Sequence, residues 1–482
     1  MYETALTLSV ATFLVAGFYF FRHPAFSIFH PLTIYMAFHG VVFVLRPVWA
    51  WYAEFRAIYG YFSFTPSLED KLTALLAANL GFVVFFVASL AAGNVPMRFK
   101  QDRFAIAERD RLQRIFPRVL AVCLPIGGYS MLHFWGGIDD GSAYMGMTLD
   151  RATGTFISTS GNGYLLEAQI MLASIGALIA WVYRFRLFAL APLAAFIVLR
   201  AGTGGRGPFV AALAMAALLY FYEKRQRIPA GRLALTVAVA LAGFTVIGAD
   251  RGAGVREVLG ADVKVVRGPG LQEKFLEGMD FGNLEFFEYL VYVVPQRSGT
   301  YDYFLDNLQI FTEPIPRALW KNKPIGPPIK TIDYMKYGRP FGITRSLPGE
   351  GWVAWGWPGV IIWCGLWGWL LGWLYRKYAE GPQNTLHTAA YMIFLPILIV
   401  AYRDGSLVTI FRQGIFFFAP IAVWYGFSRA AGIPTAQALR FAAYRNWRKQ
   451  RAAASGNGSA VTGNDVKDLR PRHPAHLRPR RR

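Results

Sequence analysis

The sequence predicts an all-α polytopic membrane protein with about eleven transmembrane helices and a large extracytoplasmic loop between spans eight and nine. Three observations carry this. Hydrophobic residues make up 54% of the 482 residues and charged residues only 16%, where soluble chains hold nearer a quarter charged. Apolar runs of about 20 residues, the length that crosses about 30 Å of hydrocarbon, recur along the chain. Basic residues gather in alternate connections between those runs. Cys123 and Cys364 both lie in apolar runs, so the sequence offers no disulfide framework and no thiolate metal cluster. Disordered, fibrous and small disulfide-stapled classes are excluded.

In order, the spans cover roughly 4–21, 26–50, 72–92, 116–135, 164–183, 187–203, 207–222, 233–249, 351–375, 386–402 and 405–428. The first begins without a basic segment or a small-residue cleavage site, so it is expected to persist as a helix. The sixth and seventh are short and share the joint Ala201-Gly202-Thr203-Gly204-Gly205. If eleven spans alternate, Arg22, the 93–115 connection, Arg184 with Arg186, Lys224 to Arg232, Arg376 with Lys377 and the basic tail share one side. The positive-inside bias makes that side the cytoplasm and puts the amino terminus, with Asp139 and Asp140, outside. The chain divides into a first bundle of eight spans (1–249), the loop (250–350), the last three spans (351–428) and a basic tail (429–482). The tail holds 13 basic and 2 acidic residues, so it supplies +11 of the net +21, and no nucleic-acid partner is expected. It loses apolar periodicity after Trp447 and is expected to be disordered. It acts either as a solvated stop-transfer segment or as an attraction to anionic headgroups.

The 101-residue loop is far longer than ordinary connections, and such loops are usually functional. Asp250 to Glu313 holds 6 basic and 11 acidic residues; Pro314 to Gly349 holds 7 basic residues and only Asp333 as an acid. A cationic segment outside opposes the topological bias. Either an anionic ligand at the outer interface selects it, or it pairs with the acidic first half. Phe281 to Tyr292 has the pattern of an amphipathic helix lying on the membrane or on other spans. Pro314, Pro316, Pro324, Pro327, Pro328, Pro340 and Pro348 keep the remainder extended, as a lid or as an inert loop.

Ionisable groups in or at the rim of spans are costly and mark a functional site or a structural pair. Arg200 ends span six and Arg206 begins span seven, around Gly202, Gly204 and Gly205. Glycine allows close backbone approach and free amides before a helix favour anions, so this corner suits a phosphate; a tight turn with two snorkelling arginines would read the same. Arg403 with Asp404 reads as a rim pair, while Arg412, deeper in span eleven, requires a carboxylate, a phosphate or water. Arg297 and Arg317 have the planar fork that holds phosphate oxygens, although singly each reads as a surface charge. Glu350, between Gly349 and Gly351, is either a carboxylate stabilised by the helix dipole or a general base. Trp352, Trp355 and Trp357 either stack on sugar rings or form an interfacial belt. His-Glu-x-x-His, Gly-x-Ser-x-Gly and clustered metal-ligand sets are all missing from the sequence; neither metal nor cofactor is expected.

One ordered set of motifs remains: Gly204-Gly205-Arg206-Gly207, Val294-Pro295-Gln296-Arg297 with Thr300-Tyr301, Ile315-Pro316-Arg317-Ala318-Leu319-Trp320-Lys321-Asn322-Lys323-Pro324, Pro348-Gly349-Glu350-Gly351 and Trp355-Gly356-Trp357-Pro358-Gly359. This set resembles the oligosaccharide repeat-unit polymerases, the O-antigen polymerase type. The motifs cover roughly 200–375 and the remainder matches by span count, with Gly205 standing where a serine is expected. The resemblance implies a glycosyltransferase of the bacterial inner membrane that joins undecaprenyl-diphosphate-linked repeat units into surface polysaccharide, O-antigen or exopolysaccharide, on the outer leaflet. An acceptor hydroxyl attacks the anomeric carbon and lipid diphosphate leaves, its charge met by fixed guanidinium groups rather than a metal.

Arg206 and Glu350 are then the catalytic candidates, and Arg200, Arg297, Arg317, Lys321, Lys323, Arg345, Arg403 and Arg412 the diphosphate-binding ones. The implied partners are lipid-linked donor and acceptor, the bilayer, a chain-length regulator and a flippase. An O-antigen ligase, which transfers the polymer to lipid A-core, shares the donor and is not separated by these residues. A lipid-linked oligosaccharide flippase or transporter would spread cations through a central cavity, and the sequence shows no repeated halves of the kind many transporters carry.

Overall fold

The computed structural model describes residues 1–100, 102–136, 147–149, 156–158, 163–202, 206–238, 257, 276–317, 319–340 and 342–456. In chain order the helices are α1 (Tyr2–Arg22), α2 (Pro31–His39) continued by a π-turn (Gly40–Leu45) into α3 (Arg46–Ala53), α4 (Ala57–Phe62), α5 (Leu68–Gly93) and α6 (Arg103–Gly136). After them come α7 (Gly163–Glu167), leading through a 3-10 turn into α8 (Met171–Val182), then α9 (Leu187–Gly202), α10 (Arg206–Glu223), α11 (Asn283–Val293), α12 (Ser346–Glu380), α13 (Thr385–Asp404), α14 (Leu407–Ala430) and α15 (Ala436–Gly456). A short hairpin pairs β1 (Met147–Leu149) antiparallel with β2 (Phe156–Ser158).

The protein is a helical membrane protein. Seven of the described helices are long and apolar enough to cross a bilayer: α1, the compound α2–α3, α5, α6, α12, α13 and α14. Three shorter apolar ones lie at Ala168–Val182, Leu187–Gly202 and Gly207–Glu223. The eighth expected span lies outside the described residues beyond 238, as do Asp139, Asp140, loop residues 258–275 and the tail from 457.

Contacts fix the direction of each helix. Ser9 Oγ lies 2.9 Å from Asn79 Oδ1 and Tyr2 packs with Leu75, so α1 and α5 run parallel. A Cβ on Gly81 would meet Cys364 and one on Gly368 would meet Phe85, so α12 runs with them. The opposite ends of α5 and α12 meet the start of α2, where the His30 ring lies 4.2 Å from the Tyr375 ring. Glu108, near the start of α6, accepts the Thr385 amide at 3.0 Å, and Arg109 pairs with Glu223 at the end of α10 at 2.7 Å. At the other face the Gln169 amide donates to Ser130 Oγ and Arg200 donates to Gln169 Oε1. Successive apolar helices therefore alternate in direction, and α11 with the 276–345 segment sits on the face that holds the amino terminus. We call this the loop face.

Local chemistry explains the elements. His30 caps α2 by accepting the Leu32 amide at 3.1 Å, with Pro31 at the first helical position. The π-turn precedes Pro47, which has no N–H to give the preceding turn. Ser67 and Asp70 form a reciprocal capping box at the start of α5. Along the α5–α12 seam, a Cβ on Gly368 would lie 2.6 Å from the Phe85 carbonyl oxygen, so small residues let the two backbones touch, as membrane helices without a hydrophobic drive prefer.

Two expectations are corrected and one open alternative is decided. Span nine, expected over 351–375, is part of the longer α12, which is two helices across a kink at Trp355 and Gly356 (φ 60°), followed by Pro358, because Pro358 removes a helical donor and Gly356 accepts a positive φ. Gly351 consequently packs so close that a Cβ added there would lie 2.7 Å from the Val360 Cα. Of the two placements open to the helix over Phe281 to Tyr292, the membrane surface or the other spans, the structure takes the second: α11 packs on α5 and α12 and every residue but Tyr292 is buried. The tail is helical through 456 rather than losing structure after Trp447, since Ala, Gln, Arg and Lys are strong helix formers.

Candidate functional site

The expected cationic residues divide into two groups on the loop face, with a third set apart. The first gathers around residues 163–170, between the ends of α6 and α9 and the start of α14. Arg200 donates to Gln169 Oε1 at 2.7 Å and stands over the Phe134 ring. Arg412 Nε lies 3.4 Å from Glu167 Oε2; the contact is too poorly aligned to be a hydrogen bond, and neither atom has a hydrogen-bond partner among the described residues. Asp404, hydrogen-bonded by Thr409, lies within Coulomb range of both Arg403 and Arg412. Arg403 also reaches Asp280 at 4.0 Å.

Tyr164, whose ring faces Phe416, ties this cluster to the loop by donating to the Glu313 carbonyl. Lys323 donates to the same carbonyl at 3.0 Å and lies 3.8 Å from the Glu313 carboxylate. Burial lowers the Lys323 pKa, Glu313 opposing and Arg317 adding to the shift. Arg317 holds the carbonyls of Lys323 and Pro324 at 2.6 and 3.0 Å, stapling the 313–324 turn. The end of α9 packs on the start of α10 through Ala201 and Phe209, which puts the amino terminus of α10 beside Arg200's helix. Arg206 is the first residue of α10; its side chain, with Gly204 and Gly205, lies outside the described residues.

The second group is buried. Arg345 pairs with Asp306 at 2.7 Å and with Glu350 at 3.2 Å, and its guanidinium stands over the Tyr334 ring. Glu350 is 3% exposed and its other oxygen accepts from Asn307 at 2.9 Å. Asp302 accepts from the Asp306 amide and from Thr331. One guanidinium thus faces several carboxylates, and burial pushes Asp306 up to about 8, with Arg345 pulling it down and Asp302 and Glu350 pushing it further up. The sequence gives Glu350 the open setting of a base; the structure engages both its oxygens and makes it an anchor of the loop on α12. Arg345 likewise spends its donors on carboxylates.

Arg297 and Lys321 stand apart. Arg297 covers the Tyr292 ring at 3.4 Å and donates to the Tyr292 carbonyl, while Lys321 is exposed.

Sequence reasoning missed a third polar group, at α3 and α11. Arg46, fully buried, donates to both oxygens of Glu285 at 2.8 to 3.1 Å and to the carbonyls of Leu276, Glu277 and Gly278. Glu277 in turn accepts the Arg56 and Ala57 amides that open α4. The signal was present, because Arg46 interrupts an apolar run as Arg412 does.

No protein-family model matches the chain, and comparisons with curated proteins and with solved structures find no match.

Proposed function

We propose that the protein is a membrane glycosyltransferase that polymerises undecaprenyl-diphosphate-linked oligosaccharide repeat units at the outer face of a bacterial inner membrane, with the loop face outside and α15 in the cytoplasm. The observation that carries this reading is the convergence of Arg200 on Gln169 and Arg412 on Glu167, with Lys323 joined to them through Glu313 and Tyr164, beside the amino terminus of α10. Helix amino termini and guanidinium forks suit diphosphate oxygens. Arg412 and Glu167 form a loose ion pair, so an incoming diphosphate competes with the Glu167 carboxylate for the Arg412 guanidinium. As the anomeric C–O bond to the lipid diphosphate breaks, negative charge builds on the leaving oxygen, and fixed cations there stabilise the transition state more than the ground state. Arg206 belongs to this group by its place at the head of α10. Glu350 and Arg345 serve by holding the loop on α12.

Deletion of the gene tests the reading on a gel of surface glycan. Core bearing a single repeat unit is expected; bare core with accumulating lipid-linked polymer would assign a ligase, and an unchanged ladder would remove both. Arg412→Ala should cut chain extension on the order of 10²-fold at unchanged protein level, and Arg206→Ala should abolish it.

A further inference from the structure

A cavity of about 780 Å³ opens beside the missed polar group, between the first turns of α1 and α5, the end of α3, α4 and α11. This volume lies in the usual range of ligand sites, about 300–1,000 Å³. Its walls include Trp51, Phe55, Tyr59, Phe64, Lys71 and Glu288. Glu288 is 1% exposed; one of its oxygens accepts the Tyr59 hydroxyl at 2.7 Å, and its other oxygen takes no hydrogen bond from a described residue. Lys71 stands 4.6 Å from the Tyr59 ring centre. The neighbouring Glu285 is neutralised by Arg46, and Glu54 and Arg56 pair with each other on the exposed side. The lining is therefore aromatic and close to electroneutral, with one carboxyl whose hydrogen bonding is incomplete.

We propose that this cavity binds a saccharide, with aromatic faces meeting the C–H face of a pyranose ring and Glu288, Tyr59 and Lys71 meeting its hydroxyl groups. A phosphate would want more cations than the walls supply, and an acyl chain would leave the Glu288 carboxyl unmet in an apolar setting. A sugar ring satisfies both kinds of wall, being apolar on its faces and polar at its edge. Burial pushes Glu288 up to about 8, with Lys71, the Tyr59 hydrogen bond and Arg46 opposing and Glu285 reinforcing, so near neutral pH the carboxyl also donates. That the bound sugar belongs to a lipid-linked repeat unit rests on the polymerase reading; the cavity's chemistry does not.

Dicyclohexylcarbodiimide, which modifies protonated carboxyls in apolar surroundings, reads the site when the labelled full-length protein is mapped by peptide mass spectrometry. Glu288 should be labelled. Two saccharide probes are used: the free oligosaccharide released by mild acid from the cell's lipid-linked glycan, and methyl glycosides of glucose, galactose and N-acetylglucosamine. One or more of them should slow Glu288 labelling about tenfold while leaving labelling of Asp306, outside the cavity, unchanged. Trp51→Leu and Tyr59→Phe should lose that protection with Asp306 labelling still unaltered, which shows that the fold survives. An unlabelled Glu288, labelling that no saccharide slows, or protection by undecaprenyl phosphate alone would overturn the proposal. Protection by the methyl glycosides together with an unchanged glycan ladder after gene deletion would keep the saccharide site and remove the polymerase reading.

Discussion

Arg46 shows what a single charge demands inside an apolar bundle. Its donors are met by Glu285 and three carbonyls, so Arg46→Ala leaves Glu285 buried and unpaired, at a cost of about 3–5 kcal/mol. The thermal unfolding midpoint in detergent should fall well below that of Arg56→Ala, whose partner Glu54 is 70% exposed; equal midpoints would contradict the role given to the buried pair. Glu288 carries a pH signature. With its carboxyl raised to about 8 by burial, the folded chain holds a proton that the unfolded chain releases above about 4.3, so its contribution to stability falls as pH rises through that window. Glu288→Gln does not titrate, and its midpoint should gain on the parent's between about pH 5 and about pH 9; parallel curves would show that the group does not titrate there. At this scale the sequence exposed Arg412, because a charge deep in a span needs a partner, but not Glu167, which lies some two hundred and forty-five residues earlier in the chain. Arg46 met the same criterion and was passed over within an apolar run.

Among the elements, the α5–α12 seam makes the sharpest demand on sequence. Gly368 cannot gain a Cβ without displacing the Phe85 carbonyl, so Gly368→Ala should cost about 1–3 kcal/mol. Gly426, in the interior of α14 with nothing within 4 Å of an added Cβ, is the control: Gly426→Ala should be neutral or stabilise by up to about 1 kcal/mol. Equal midpoints for the two variants would mean that the seam tolerates separation. The seven long apolar helices were legible from hydropathy because the hydrocarbon thickness sets helix length. The kink at Gly356 was not, since a glycine and a proline two residues apart fit a straight or a broken helix equally well. Nor was the burial of α11: Glu285 and Glu288 look solvent-facing until Arg46 and Tyr59 arrive from elements more than two hundred residues earlier.

For the whole molecule, alternation of helix direction places the 276–345 segment and the amino terminus on one face and α15 on the other. Native Cys123 and Cys364 are buried, so single introduced thiols report sidedness cleanly. Lys321→Cys should react with a membrane-impermeant maleimide in intact spheroplasts, and Arg448→Cys only after lysis; the reverse pattern would invert the proposed orientation. That parity was legible because basic connections recur on alternate sides. The meeting of Arg200, Arg412 and Lys323 was not, since they come from three elements that hydropathy cannot dock against one another.

The glycine seam also has a consequence for biogenesis. α5 ends at Gly93 and its partner α12 begins only at Ser346, so during synthesis α5 waits in the bilayer with its small-residue groove facing lipid while α6 to α11 are made. A nascent chain stalled before residue 346 would present that open groove, and this unfinished surface is where quality-control proteases and insertion chaperones of the membrane would distinguish an incomplete molecule from a finished one.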